Sequence, residues 1–161
     1  LITNRENERR MQAAQLVQSA LKDIGVSMKL DFVEFNSMSD RARNKKFEAM
    51  LGGWSAGLFV SPAAMWHTGE QYTFNYPSYS NSTVDALIDK GLATPDPKEA
   101  APIWAEMQTK IYEDQPYLFL WWRDETVAVH RRFENAQINI NSLIHNLNEW
   151  EVPADKVKYD L

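Results

Sequence analysis

The chain has 161 residues, enough for one well-packed core and short for two. Hydrophobic residues make up 44% and charged residues 24%, and 17 basic against 22 acidic residues leave a formal net charge of −5 with no long basic run, which argues against a nucleic-acid partner. There is no cysteine, so disulfides, thiolate zinc sites and cysteine nucleophiles are excluded, and no apolar run reaches the roughly 18–20 residues of a membrane helix.

No signal peptide is visible, and the chain opens LITNRE without a methionine. It reads as a mature product or as a piece cut from something longer, and we favour the piece. Thr3 and Glu6 fit a T-x-x-E capping box, and Ala14, Val17, Leu21 and Ile24 recur at helical spacing before Gly25. These predict an amphipathic first helix that stops at the glycine. In 26–35, Val26, Met28, Leu30 and Phe32 alternate with polar residues, which predicts a half-buried strand. Residues 37–46 read as a short polar helix, and 47–54, with Phe47, Ala49 and Leu51 on one face, as a second strand. Strands separated by helices predict an α/β fold.

Regular periodicity fades from 54 to 79, where seven aromatics fall among glycines and prolines: Trp54, Phe59, Trp66, Tyr72, Phe74, Tyr76 and Tyr79. A short helix is expected near 62–67, with Ser61 as its cap and Pro62 at its first position. Ser82 is expected to cap the next helix, with Val84, Leu87, Ile88 and Leu92 as its apolar stripe. Asp96, Pro97 and Glu99 then start a helix whose buried face is Ala100, Ile103, Trp104, Met107 and Ile111. Residues 117–130 predict two strands joined by a tight turn near 123–125, and Trp121 and Trp122 must then face opposite ways. The rest of the chain is weakly patterned and rich in asparagine.

Few residues suggest catalysis. His67 and Glu70 stand in H-x-x-E spacing, half a metal site at best, and the plain alternative is a loop histidine near a loop acid. A glycosidase would need a second carboxylate facing Glu70, and Asp85 reads as a first-turn acid favoured by the helix dipole. No nucleophile elbow or phosphate-binding glycine loop is present. The stretch GGWSAGLFVSP at 52–62 is more suggestive. Trp54 closes a strand, two glycines before it allow close approach, and Ser55, Ala56 and Gly57 offer backbone donors beside an indole face. A core tryptophan after a glycine bulge explains the same residues, and both readings stand.

The order of motifs resembles a known family. A helix ending in LKDIGVSMKL is followed by KFEAMLGGW, NYPSYSNSTVDALID, TPDPKEA and IYEDQPYLFLWWR, with GW, Y-x-N-x-x-V-D-x-L-I and D-Q-P-Y-x-F-L in sequence. This resembles the C-terminal third of the family 5 extracellular solute-binding proteins, the peptide- and nickel-type receptors of ABC importers. The resemblance implies an α/β fold, with residues 1–133 as a C-terminal lobe carrying a mixed sheet flanked by helices. Residues 134–161 would be a tail that crosses back to a missing N-terminal lobe.

It further implies non-catalytic capture of a peptide or similar small organic solute, delivered to an ABC permease in the periplasm or at the outer cell surface. No cofactor, metal or membrane span is expected. The expected ligand wall is Trp54, Ser55, Ala56 and Gly57, then Phe59, Trp66 and Asn75, with Arg123 more remote. Oligopeptide receptors of this kind commonly read G-W-x-A-D, where the acid holds the peptide's ammonium group. Here Gly57 stands in its place and has no carboxylate to hold the ammonium. A carbohydrate receptor on the same scaffold, a glycosidase using Glu70 and a bare protein-interaction module are the alternatives.

Overall fold

A computed structural model describes residues 1–55, 61–69, 73–124, 126–139, 142 and 144–158. They fall into two compact units, one formed by Leu1–Ser55 with 61–118 and the other by the described residues from 119 onward.

The first unit opens with a strand, β1 (Ile2–Asn4), where the capping box placed a helix start. Thr3 is fully buried, and its hydroxyl donates to the Leu51 carbonyl at 2.8 Å, so it cannot cap. The helix α1 (Glu8–Asp23) begins later, with Asn7 as cap: its side-chain oxygen accepts from the Arg10 N–H at 3.0 Å. The predicted glycine stop is present, with Gly25 at φ +81°. Of the strand expected over 26–35, only β2 (Asp31–Val33) is paired. It runs parallel to β1, with Ile2 opposite Asp31 and Asn4 opposite Val33. The second predicted strand is reduced to one parallel bridge from Met50 to Ile2. The Ile2 N–H donates to Ala49 and the Leu51 N–H to Ile2, each at 2.9 Å. β1 therefore lies between β2 and the Met50 bridge, and α1 makes the long crossover that parallel neighbours require. The helix α2 (Phe35–Arg43) makes the next crossover, burying Met38 and Ala42.

The rest of this unit is helical. A single turn, α3 (Ala63–Trp66), precedes α4 (Ser82–Leu92) and α5 (Pro97–Asp114). Asn81 caps α4 in place of Ser82, accepting from the Thr83 and Val84 N–H groups at 2.9 and 3.3 Å. Asp96 caps α5 through the Lys98 N–H at 2.8 Å, with Pro97 in the first turn as expected. The predicted stripes meet except at Leu92, which is exposed at the end of α4: Val84, Leu87 and Ile88 pack with Ile103, Met107 and Ile111, and Ala63 and Trp66 close the cluster. Val84 and Ile88 are fully buried, each worth about 1.5–3 kcal/mol of transfer free energy. Trp104 packs beside this cluster, its ring over Gly91, where a Cβ would lie 2.3 Å from a ring carbon. At the far end of the helix pair, the Asn81 amide donates to Asp114 at 2.7 Å, tying the start of α4 to the end of α5.

The second unit has little regular structure among its described residues. Among the described residues of 117–130, neither of the two expected strands is formed. Trp121 is half-exposed and Trp122 almost wholly exposed, so no packed face supports a hairpin, and an isolated hairpin is marginal in water. Order comes instead from asparagine. Asn146 is buried; its oxygen accepts from the Gln137 N–H and the Trp150 indole at 2.8 and 2.9 Å. Its amide donates to the Asn135 carbonyl at 2.7 Å and to Glu149 at 2.9 Å. A single antiparallel bridge joins Glu134 to Glu151, and Phe133 packs on Trp150 at 5.6 Å.

Candidate functional site

The site is built where the strand region ends. At Gly53 an added Cβ would lie 2.8 Å from Nη2 of Arg10, so the missing side chain lets the α1 guanidinium rest on this backbone. Nη1 of Arg10 donates to the Asn4 side-chain oxygen at 2.8 Å, and burial draws the arginine's pKa down. The close approach anticipated at the glycines is thus filled by α1 at Gly53.

Trp54 follows with 44% of its surface exposed. Its ring stacks on Tyr76, with centroids 5.5 Å and planes 27° apart, and tilts against Phe74 at 5.2 Å. Offset and tilted pairs are the favoured aromatic geometries, worth about 0.5–1.5 kcal/mol beyond area burial. The result is a partly exposed aromatic surface braced by two further rings.

The turn between Phe74 and Tyr76 is fixed by the residue between them. Asn75 is 5% exposed. Its amide donates to the carbonyls of Tyr79 at 2.8 Å and His67 at 3.2 Å, and its oxygen accepts from the Tyr79 N–H at 2.8 Å. The Phe74 N–H donates to the Ala64 carbonyl at 3.2 Å, joining the turn to α3. From the turn that follows α2, the Lys45 ammonium donates to the carbonyls of Asn75 and Tyr76.

A second aromatic layer lies behind. Trp66 meets Tyr117 edge-on at 4.7 Å and Tyr79 at 6.2 Å. Burial pushes the Tyr117 phenol up, the neighbouring Trp54 side chain opposes this, and Tyr76 adds to it. Burial and then Asp114 push the Tyr79 phenol far up; its hydroxyl donates to Asp114 at 2.5 Å. Hydrogen bonds from Tyr79 and Asn81 hold the Asp114 carboxyl below its usual range.

The residues singled out in the sequence fall in different places. Trp54 and Ser55 are exposed in the first unit. Ala56, Gly57, Phe59 and Glu70 lie outside the described residues. Trp66 and Asn75 are turned into the fold, the first against Tyr117 and the second bonded to Tyr79. Arg123 is exposed in the second unit. His67 faces α4: Nδ1 lies 3.6 Å from Asp85 and Nε2 3.4 Å from Asp89. Asp85 is more than a dipole-favoured acid, because it accepts the Thr68 N–H at 2.8 Å. Among the described residues, no group of three or more metal-ligating acids and histidines converges. A surface groove of about 350 Å³, lined by Lys90, Thr94, Glu99, Pro102, Ile103 and Glu106, shares no residue with the aromatic cluster. Phe74, Tyr76 and Lys45 went unselected as site residues; the crowding of aromatics in the 54–79 stretch was the available signal for the first two.

Comparison with known proteins adds to this geometry. Residues 1–76 match the model for "Bacterial extracellular solute-binding proteins, family 5 Middle". The oligopeptide-binding protein AppA of Bacillus subtilis is 29% identical over 153 residues, 93% of this chain and 28% of that protein. Its structure in complex with a nonapeptide superimposes with a TM-score of 0.79 at 28% identity, covering 94% of this chain and 31% of AppA. The probable D,D-dipeptide-binding periplasmic protein DdpA of Escherichia coli is 25% identical over 78% of this chain and 25% of its own length. The ABC transporter substrate-binding protein CtaP of Listeria monocytogenes matches in structure with a TM-score of 0.62 and 26% identity, over 70% of this chain and 24% of its own. The chain thus spans a quarter to a third of the length of these relatives. With its α/β fold and the motif order described above, the chain is similar to the family 5 bacterial extracellular solute-binding proteins, and these likenesses indicate a piece of such a protein.

Proposed function

We propose that this chain contributes one wall of a cleft that captures a peptide for an ABC importer, without chemistry on the bound solute. The observation that carries the proposal is the half-exposed Trp54 ring, braced by Phe74 and Tyr76 and left open on part of its surface. Rigid aromatic surface next to a few polar groups is how small-solute sites gain affinity. Ser55 follows Trp54 directly and is exposed beside it in this reading, whereas Ala56, Gly57 and Phe59, also expected in the wall, lie outside the described residues. Trp66 and Asn75 serve from behind it. The likeness to a structure holding a nonapeptide and the names of the relatives favour peptide over carbohydrate. The family description supports an extracellular working compartment, the periplasm or the outer cell surface, where a permease would receive the solute.

Gly57 cannot neutralise a ligand ammonium. A peptide amine bound here therefore stays hydrated or meets an acid elsewhere in the natural full-length protein.

The test is a calorimetric titration of that full-length protein with an equimolar mixture of di- to nonapeptides, followed by titration of the tightest binder into Trp54→Ala. Binding by the wild type and a loss of about tenfold or more in the variant are expected. Equal affinity in both would remove Trp54 from the wall.

A further inference from the structure

The helix α2 ends in a paired turn: the Lys46 N–H donates to the Arg41 carbonyl at 2.8 Å and the Lys45 N–H to Ala42 at 3.2 Å. The residue that turns the chain there is Lys45, at φ +56°. Glycine is the usual occupant of this position, because any side chain strains left-handed backbone. A lysine keeps that strain and adds a long side chain, so what the side chain reaches matters. Its ammonium donates to the carbonyl of Asn75 and, at 3.2 Å, to that of Tyr76. Those partners are 30 and 31 residues away in sequence. The same short turn is gripped from within by the Asn75 amide, and the rings on either side of Asn75 are the two that touch Trp54.

We propose that Lys45 is a positioning residue for the aromatic wall: its ammonium fixes the 74–76 turn from outside and so sets the stacking of Tyr76 and Phe74 on Trp54. The ligand consequence rests on the function proposed above; the placement of the rings does not. Holding the rings before the ligand arrives removes their ordering from the cost of binding.

The test uses Lys45→Met, which keeps the stem without the charge, and Lys45→Arg, which keeps a charged donor. The first readout needs no ligand: the indole N–H signals of the six tryptophans in a proton–nitrogen correlation spectrum of the chain, with that of Trp54 assigned through Trp54→Phe. The second is the affinity of the natural full-length protein for the tightest binder of the peptide mixture. Lys45→Met is expected to move the Trp54 signal and weaken binding about three- to tenfold, and Lys45→Arg to restore most of both. An unmoved Trp54 signal in Lys45→Met overturns the inference, as does wild-type affinity in that variant. A wild type that binds no peptide would instead defeat the functional reading, and the indole signal would still decide the role of Lys45.

Discussion

The Trp54 indole lies on Tyr76 with ring centroids 5.5 Å apart and a 27° angle between planes, and 44% of Trp54 stays open. A tryptophan placed for packing alone would be covered. This one is braced on part of its surface by two rings and left open elsewhere, the arrangement that lets a chain offer a large apolar surface in a fixed orientation. Its brace is polar beneath, through Asn75 and Lys45, and aromatic behind, through Trp66, Tyr79 and Tyr117.

The polar brace predicts a stability cost. Asn75→Ala removes three hydrogen bonds from a buried side chain and leaves the Tyr79 N–H and two carbonyls without that partner. A loss of about 1–3 kcal/mol is expected, read as a lower urea midpoint with the same slope.

The helix pair predicts a substitution whose usual sign reverses. Glycine to alanine inside a helix ordinarily gains up to about 1 kcal/mol. At Gly91 the new methyl would meet the Trp104 ring at 2.3 Å, so one helix or the ring must move. Gly91→Ala should therefore destabilise by about 1–3 kcal/mol. The double variant Gly91→Ala with Trp104→Ala should show strong non-additivity in the same unfolding experiment.

His67 makes stability depend on pH. Its pKa is raised, first by the Thr68 carbonyl that takes the Nδ1 proton at 2.8 Å, then by the charges of Asp85 and Asp89, against an opposing effect of burial. The folded chain therefore holds the proton more tightly than the unfolded chain, where histidine titrates near 6.5. The contribution is fully present below about pH 6.5 and is lost as pH rises through the higher folded value. Thermal melts between about pH 6 and pH 8.5 should show a fall in midpoint that is shallower in His67→Gln. Parallel slopes in the two proteins would contradict the assignment.

In the second unit, Asn146 is expected to matter more than its apolar neighbours. Asn146→Ala deprives the Gln137 N–H and the Trp150 indole of their acceptor. Both protons should exchange with solvent faster, measured by hydrogen exchange.

Much of the first unit is legible in the sequence because its signals are local. Asp96 and Pro97 start α5 as their chemistry requires, and the stripes of α4 and α5 meet in the core. The misreadings arise where a distant partner decides. Thr3 has the look of a cap, but Leu51, 48 residues away, takes its hydroxyl and Val33 and Asp31 flank its strand. The alternation over 26–35 is real, yet only Asp31–Val33 finds a pairing edge. The β-rich run at 117–130 has strand propensity without a packed face among the described residues.

At the site, sequence pattern singled out Trp54 but could not tell that Trp66 and Asn75 turn inward while Phe74 and Tyr76 brace Trp54. An asparagine in an aromatic loop reads as a turn residue or a ligand contact. Its saturation by His67 and Tyr79 is visible only in three dimensions. The same holds for Asn146, which made its region look unpatterned while supplying its order.

The most direct measurement is a native mass spectrum of the natural full-length protein, purified without refolding so that captured solute stays bound. The account predicts adducts with the masses of short peptides, displaced when the peptide mixture is added. Adducts spaced by hexose units, untouched by added peptide, would contradict it and make Trp54 a stacking platform for sugar.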